Sequence, residues 1–504
     1  MRIRLAFCLF LGAMPLRAEA PLSAIEWLTE TTPVRIAPEN VTEPPVSASA
    51  SAPDVSVKSI GEAGEIVSVG LLGSAVTGLP ESLWARSDAA ELSRAIATAD
   101  FRSIAALQRL LYTLLLAESV PPKGASAEAF LTTRVDTLRA FGAIEPAEAL
   151  VEGLPLASPE HFALWFDLTL LAGLEDKACT LLNAKRGLSS DYAAQIFCAL
   201  RGEDWEDAAF LFDTADALGL LSNTERRLLL AFLDPEYAED APSLAPPRDI
   251  SPLEFRLYEA VGNALPTASL PVAFAVTDLR ELAGWKAQLE AAERLVRNGA
   301  LSANVLLGLY TERKPSASGG VWERARAVQR LEAALEDGTP DVLSAALVAV
   351  HDELAEYGLT PLLAEIYVPE LVGATLTPEG ELLRFHLTLL SVDYEAARPT
   401  ADMQSMFLAS LAAGAPEGAA ALSDPLAVAI EDGFSTAVAS AALRALLDEG
   451  KLGEAILFAS KQMTSGLGGD LSALKSGIAG LRQMGLEDVV RRASLQMMLM
   501  KRQF

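Results

Sequence analysis

The chain has 504 residues, of which 51% are apolar and 6% aromatic, and its formal net charge is −27. Ala, Leu and Glu are abundant while aromatic and β-branched residues are few, which is a helical composition with enough apolar surface for a large core. A field this acidic repels nucleic acid and anionic lipid, so neither is expected as a partner.

The first residues read MRIRLAFCLFLGAMPLRAEAPLS. Arg2 and Arg4 supply a positive start, Leu5 to Leu16 is a short apolar run interrupted by Pro15, and Ala18 and Ala20 are small. This is the layout of a secretory signal peptide over residues 1–20. Cleavage falls after Ala20 or, because Pro21 would disfavour that cut, after Ala18. The run is too short for a membrane anchor, which needs about twenty residues. Cys8 comes too early and behind bulky Phe7 for a lipoprotein signal. The mature chain is therefore expected to be periplasmic or otherwise secreted, with no membrane span after signal removal.

Residues 21–78 read as a disordered tether, because a stretch so rich in Pro, Ser, Ala and Val cannot offset its ordering entropy by burial. Near its start Leu22, Ile25, Trp27 and Leu28 form a short apolar motif. The motif either docks onto the protein's own body or serves as a linear docking motif for a partner.

From Leu79 onward apolar residues recur at spacings of three and four, the mark of amphipathic helices. Ser126, Ser158, Ser190 and Ser222 stand 32 residues apart. Each is placed to cap a helix start, with Ser189 the alternative to Ser190, and Ser222 with Glu225 has capping-box spacing. Inside these units Gly142, Gly173 and Gly202 end one helix, and Ala147, Ala178 and Ala208 open the next. Late in the chain, Gly450 and Gly485 align two more such hairpins 35 residues apart. A repeated helix–turn–helix unit predicts an all-α fold, an α-solenoid, in two helical regions: 79–233 and 253–504. Between them, residues 234–252 are acidic and Pro-rich and read as a linker or a strap, since Pro blocks helix continuation.

The units resemble tetratricopeptide repeats in rhythm and in their small residues where paired helices approach. Their period is shorter, and that family's Trp/Leu/Gly/Tyr pattern is absent. The succession of signal, tether and Ala/Leu-rich helical pairs is similar to uncharacterised exported repeat proteins of alphaproteobacteria. The resemblance implies the architecture and carries over no binding residue.

Beyond the signal two cysteines remain, Cys179 and Cys198. They lie on neighbouring helices of a protein expected to be exported, and either pair as a disulfide or fill the core as small apolar side chains. His161, His351 and His386 are scattered, and the HDELAE string at His351 has no second His at helical spacing, so no metal site is expected. No nucleophile elbow, phosphate loop or dinucleotide fingerprint occurs. No catalytic residue and no cofactor is assigned.

One stretch reverses the charge of the chain. Between Arg313 and Arg330 five cations (Arg313, Lys314, Arg324, Arg326, Arg330) accompany one acid, Glu323. One reading is a helix–loop–helix joint in which Val321 and Trp322 tuck into the core. The other is an exposed anion site. There, Ser318, Gly319 and Gly320 would offer backbone N–H groups at a helix start, and Arg313, Lys314 and Arg324, with Trp322 beside them, would bind a carboxylate, a phosphate or an acidic partner segment. The expected function is a protein- or peptide-binding scaffold. The alternatives are a small anionic ligand receptor or enzyme with a site between the helical halves, and an accessory subunit of a cell-envelope machine.

Overall fold

Capping chemistry sets the helix ends. The computed structural model describes residues 68–234, 236 and 244–500, so the signal segment and the motif of Leu22, Ile25, Trp27 and Leu28 lie outside the described residues. Among the described residues the chain is all-helical, with isolated bridges in place of strands. A short α1 (Ser74–Thr77) and a 3-10 turn (Glu81–Trp84) lead into α2 (Ala89–Ala97) and α3 (Ala105–Leu116). Three hairpins follow: α4 (Ala127–Phe141) with α5 (Ile144–Glu152), α6 (Pro159–Ala172) with α7 (Glu175–Ala184), and α8 (Tyr192–Arg201) with α9 (Trp205–Ala217), succeeded by α10 (Asn223–Leu233).

Ser126 caps α4 by accepting from the Ala129 amide, and Ser222 caps α10 in a full capping box with Glu225. Ser158 stands at the cap position of α6 but, against expectation, its hydroxyl makes no capping hydrogen bond, and Pro159 takes the first helical position. The third unit departs from the expected cap: α8 begins at Asp191, whose carboxylate accepts from the amides of Ala193 and Ala194. A carboxylate at a helix start gains from the helix dipole, which a neutral hydroxyl does not; Ser189 instead accepts from the Asp191 amide at 3.1 Å. Ala147, Ala178 and Ala208 are fully buried where successive helices approach. From α4 to α10 each helix packs on the next.

That succession ends at α11 (Pro252–Ala260), which packs back on α6 as well as on α10. The apolar run Val272–Leu279 is a 3-10 segment lying across α4 and α6. The hairpin glycines receive it. A β-carbon on Gly142 would lie 2.8 Å from Val272, and one on Gly173 would lie 2.8 Å from Arg280. The described part of the Pro-rich stretch packs on the body: Ile250 is buried in the core and the Ala245 carbonyl accepts from the Tyr258 hydroxyl at 3.0 Å. Ion pairs fasten the return, with Arg256 of α11 donating to the buried Glu175 of α7 at 2.5 Å.

The remainder runs through α12 (Trp285–Arg297), α13 (Ala303–Glu312), α14 (Val321–Asp337), α15 (Pro340–Ala355), α16 (Thr360–Glu370) and α17 (Pro378–Leu390). It ends with α18 (Met403–Ala412), α19 (Pro425–Ser435), α20 (Ala441–Asp448), α21 (Leu452–Ser465), α22 (Leu471–Gln483) and α23 (Glu487–Leu499). These last helices meet the first: α21 packs on the Glu81–Trp84 turn, α2 and α3, and α23 packs on α3. Gly453 makes the closure possible, since a β-carbon there would stand 2.1 Å from the ring of Trp84, which is 1% exposed. One apolar core therefore spans Leu79 to Phe274 and resumes from Phe385 to Met498, so the two helical regions share it. A second core lies under α12–α17.

Candidate functional site

The basic loop joins α13 to α14. Gly319 and Gly320 have φ of 84° and 58°, in the left-handed region that favours glycine. Arg313, Lys314 and Ser318 are exposed. Arg313 pairs with Glu312 at 2.9 Å, and the Gly319 amide donates to Glu323 at 3.3 Å, so part of the expected anion site is already occupied by the chain's own acids. Trp322 is half-buried and packs on Trp285 with ring centroids 5.1 Å apart.

Arg324 corrects the expectation of an exposed cation. It is 3% exposed and donates to both oxygens of the buried Glu293, at 2.7 and 2.6 Å. The Tyr310 hydroxyl donates to the same carboxylate at 2.7 Å, and the guanidinium lies 3.4 Å from the Tyr357 ring centroid. Burial opposes the Arg324 charge, but the hydrogen bonds and charge of Glu293 outweigh it and raise its pKa. Burial, followed by Glu293, raises the Tyr310 pKa well above its ordinary value. The reason is helical register. Val321, Arg324, Ala325, Val328 and Leu331 form the buried stripe of α14, so Arg324 faces inward, whereas Arg313 and Lys314 lie before that helix, in the exposed loop.

Cys179 of α7 and Cys198 of α8 are joined in a buried disulfide, with Cα atoms 4.7 Å apart. His161 lies on α6, away from the other two histidines, its Nδ1 3.1 Å from the Pro155 carbonyl. His351 and His386 come together. Gly380 lets α17 press against α15, since a β-carbon there would lie 2.6 Å from the Ser344 hydroxyl, which also accepts from the Thr377 amide at 2.9 Å. Two turns further along each helix, the two histidines reach the same cleft.

This cleft has a volume of about 940 Å³. Its floor is apolar, made by Leu383, Leu387 and Leu390 of α17 with Met498 and Met500 at the end of α23. Its rim carries three carboxylates, Asp352, Glu356 and Asp424, besides Gln404 and the histidines. Burial, then the neighbouring His351, lowers the His386 pKa, against an opposing pull from Asp402. The neutral imidazole of His386 is thus favoured, and the rim is formally net negative through its carboxylates. Asp402 is itself committed, capping α18 through the Ser405 amide at 2.9 Å.

Among the described residues, no three His, Cys, Asp or Glu side chains converge to hold a metal. The cleft offers apolar contact beside a rim of carboxylates, an arrangement complementary in charge and polarity to a cationic, amphipathic group. The helix that contributes Gln404 also exposes Met403 and Met406, flexible apolar side chains that adapt to varied partners. No sequence motif marked this place, because its parts come from five separate stretches. Comparison with known protein families, with curated proteins and with solved structures finds no match to this chain.

Proposed function

We propose that the protein is an exported binding protein that holds a basic, amphipathic segment of a protein or peptide partner in the cleft between α15, α17 and the end of α23. The observation that carries this reading is the combination of an apolar floor with the rim of Asp352, Glu356 and Asp424. Export is supported by the signal-like layout of residues 1–20 and by the Cys179–Cys198 disulfide, a bond that persists in oxidising compartments. The row α4–α10 is read as a short solenoid that stiffens the body, and a role as accessory subunit of an envelope assembly is one form this binding would take.

The test is a fluorescence-anisotropy titration with a labelled peptide of about fifteen residues that alternates Leu with Lys at helical spacing, beside the same peptide with Glu for Lys. The Lys peptide is expected to bind and the Glu peptide is not. Raising salt weakens the contact, because exposed charges are screened beyond about 10 Å at 0.1 M. Asp352→Asn with Glu356→Gln is expected to weaken binding about three- to tenfold, the sum of two exposed ion pairs. Equal binding of both peptides, or no effect of the double change, refutes the assignment.

A further inference from the structure

We infer that a second cavity, enclosed by α3, the start of α5, the α12–α13 turn and the start of α16, binds a small oxyanion, a carboxylate or phosphate carried on a compact apolar body. This site lies away from the peptide cleft and on different residues. Its volume is about 410 Å³. It is bordered by residues of both helical regions, so its occupant would touch both.

The first observation is the charge. Arg109 and Arg297 line the cavity with a single acid, Glu365, in a chain whose net charge is −27. Arg297 is exposed and has no acidic partner among the described residues, and Arg109 meets Glu365 only at 3.5 Å. The Arg109 field extends outward: burial first, then the Arg109 charge, lowers the pKa of Arg492.

The second is the convergence of three helix starts. Ala143 and Pro146 at the start of α5, Ser302 and Ala303 at that of α13, and Pro361 and Leu362 at that of α16 all line the cavity. Neither α5 nor α16 has a side-chain cap, and Ser302 accepts only the Asn304 amide, at 3.3 Å. Pro146 and Pro361 carry no N–H, and the Ala143 and Ile144 amides already donate to the Leu138 and Gly142 carbonyls, so what these starts bring to the cavity is the positive end of the helix dipole rather than free donors.

The third is independent of both. Gln108 lines the cavity, is 3% exposed, and makes no hydrogen bond of good geometry through either carboxamide atom, though it lies close enough to the Tyr112 hydroxyl to offset part of the rise that burial causes in that group's pKa. Its neighbour Tyr112 commits its hydroxyl proton to the Asn298 carbonyl at 2.9 Å. Buried polar groups are nearly always paired. An amide without a well-formed partner, in a cavity that two arginines also line, is what an oxyanion would satisfy, accepting from Gln108 Nε2 and from Arg297. The apolar walls, Leu116, Val296 and Leu301 among them, suit a small hydrocarbon body.

The test is a melting and calorimetric titration of the full chain with inorganic phosphate, with hexanoate and with hexylamine, at matched ionic strength. Phosphate, hexanoate or both are expected to raise Tm with millimolar or tighter affinity, and which of them does so identifies the headgroup; hexylamine is not expected to bind. Arg297→Gln is expected to weaken the anion at least tenfold without changing the unliganded Tm. Gln108→Leu gives a readout that a structural role would not. It is expected to raise the unliganded Tm, by removing a buried amide without a well-formed partner, while weakening the anion. Absence of binding by either anion, equal binding of hexylamine, or unchanged affinity in Arg297→Gln overturns the inference.

Discussion

Two buried guanidiniums show how the same residue type is accommodated in two ways. Arg134 has no carboxylate partner among the described residues; it donates to the carbonyls of Leu115, Val69 and Ala117 at 2.5, 2.8 and 3.0 Å, and burial pushes its pKa down to about 10. Arg324 instead forms a bidentate pair with Glu293. Removing one member of such a pair leaves a buried charge uncompensated. Arg324→Gln is therefore expected to cost about 3–5 kcal/mol in urea unfolding, whereas Arg313→Gln and Lys314→Gln, both exposed, should stay within about 0.5 kcal/mol. A joint Glu293→Leu, Arg324→Met chain should recover most of the loss, because an apolar pair replaces a buried ionic one at little net cost. His386 makes the second residue-scale prediction. Its folded pKa is depressed, so between that value and the unfolded one, about 6.5, the unfolded chain binds more protons than the folded one. Stability is then expected to fall as pH drops below about 6.5, and His386→Gln should flatten that slope in a pH series of denaturation midpoints. A slope unchanged by the substitution would assign it to other groups. The inward position of Arg324 was legible in the sequence, since 321, 324, 325, 328 and 331 trace one helical stripe; reading the charge alone put it outside. The meeting of His351 with His386 was not legible. Periodicity says which face of a helix is buried and not which helix it faces.

At the scale of elements, the hairpins were largely legible because capping is local. Ser126 and Ser222 announce their helices within four residues, and the fully buried Ala147, Ala178 and Ala208 sit where paired helices close. Gly142 and Gly173 carry a second duty that no local pattern announces. They end helices in left-handed conformations, with φ of 86° and 76°, and they make room for Val272 and Arg280 of the returning chain. The disulfide ties α7 to α8 within this row. Closing a loop of this size is worth about 3 kcal/mol through the unfolded state. Cys179→Ala with Cys198→Ala is expected to lower stability by about 2–4 kcal/mol, and thiol titration of the oxidised, denatured wild type should find no free thiol from this pair. Two reactive thiols there, with unchanged stability on substitution, would mean that the sulfurs only fill space.

For the whole molecule, the decisive contacts join distant segments, which explains why an uninterrupted row of repeats could be read from the sequence and the return of α11 to α6 could not. Closure of the last helices onto the first rests on a small residue. Gly453→Val is expected to cost at least about 1–3 kcal/mol by overpacking against Trp84. Because one core is common to both helical regions, the loss should appear in a single unfolding transition seen alike by near-UV and far-UV circular dichroism. Two separated transitions in the wild type would show that the regions fold independently. On the surface, a chain of charge −27 places three carboxylates at the rim of one cleft and two arginines with a single acid in the other cavity, so the two sites should select ligands of opposite charge. The proposed peptide-binding role of the cleft is tested most directly by a hydrogen-exchange footprint of the protein with and without the Lys-bearing amphipathic peptide. Slowed exchange is predicted in residues 351–360 and 383–390 and at the end of α23, with none produced by the Glu-bearing peptide. Protection confined elsewhere, for example to the exposed apolar face of α9 around Phe210 and Leu218, with the cleft unchanged, would contradict the account.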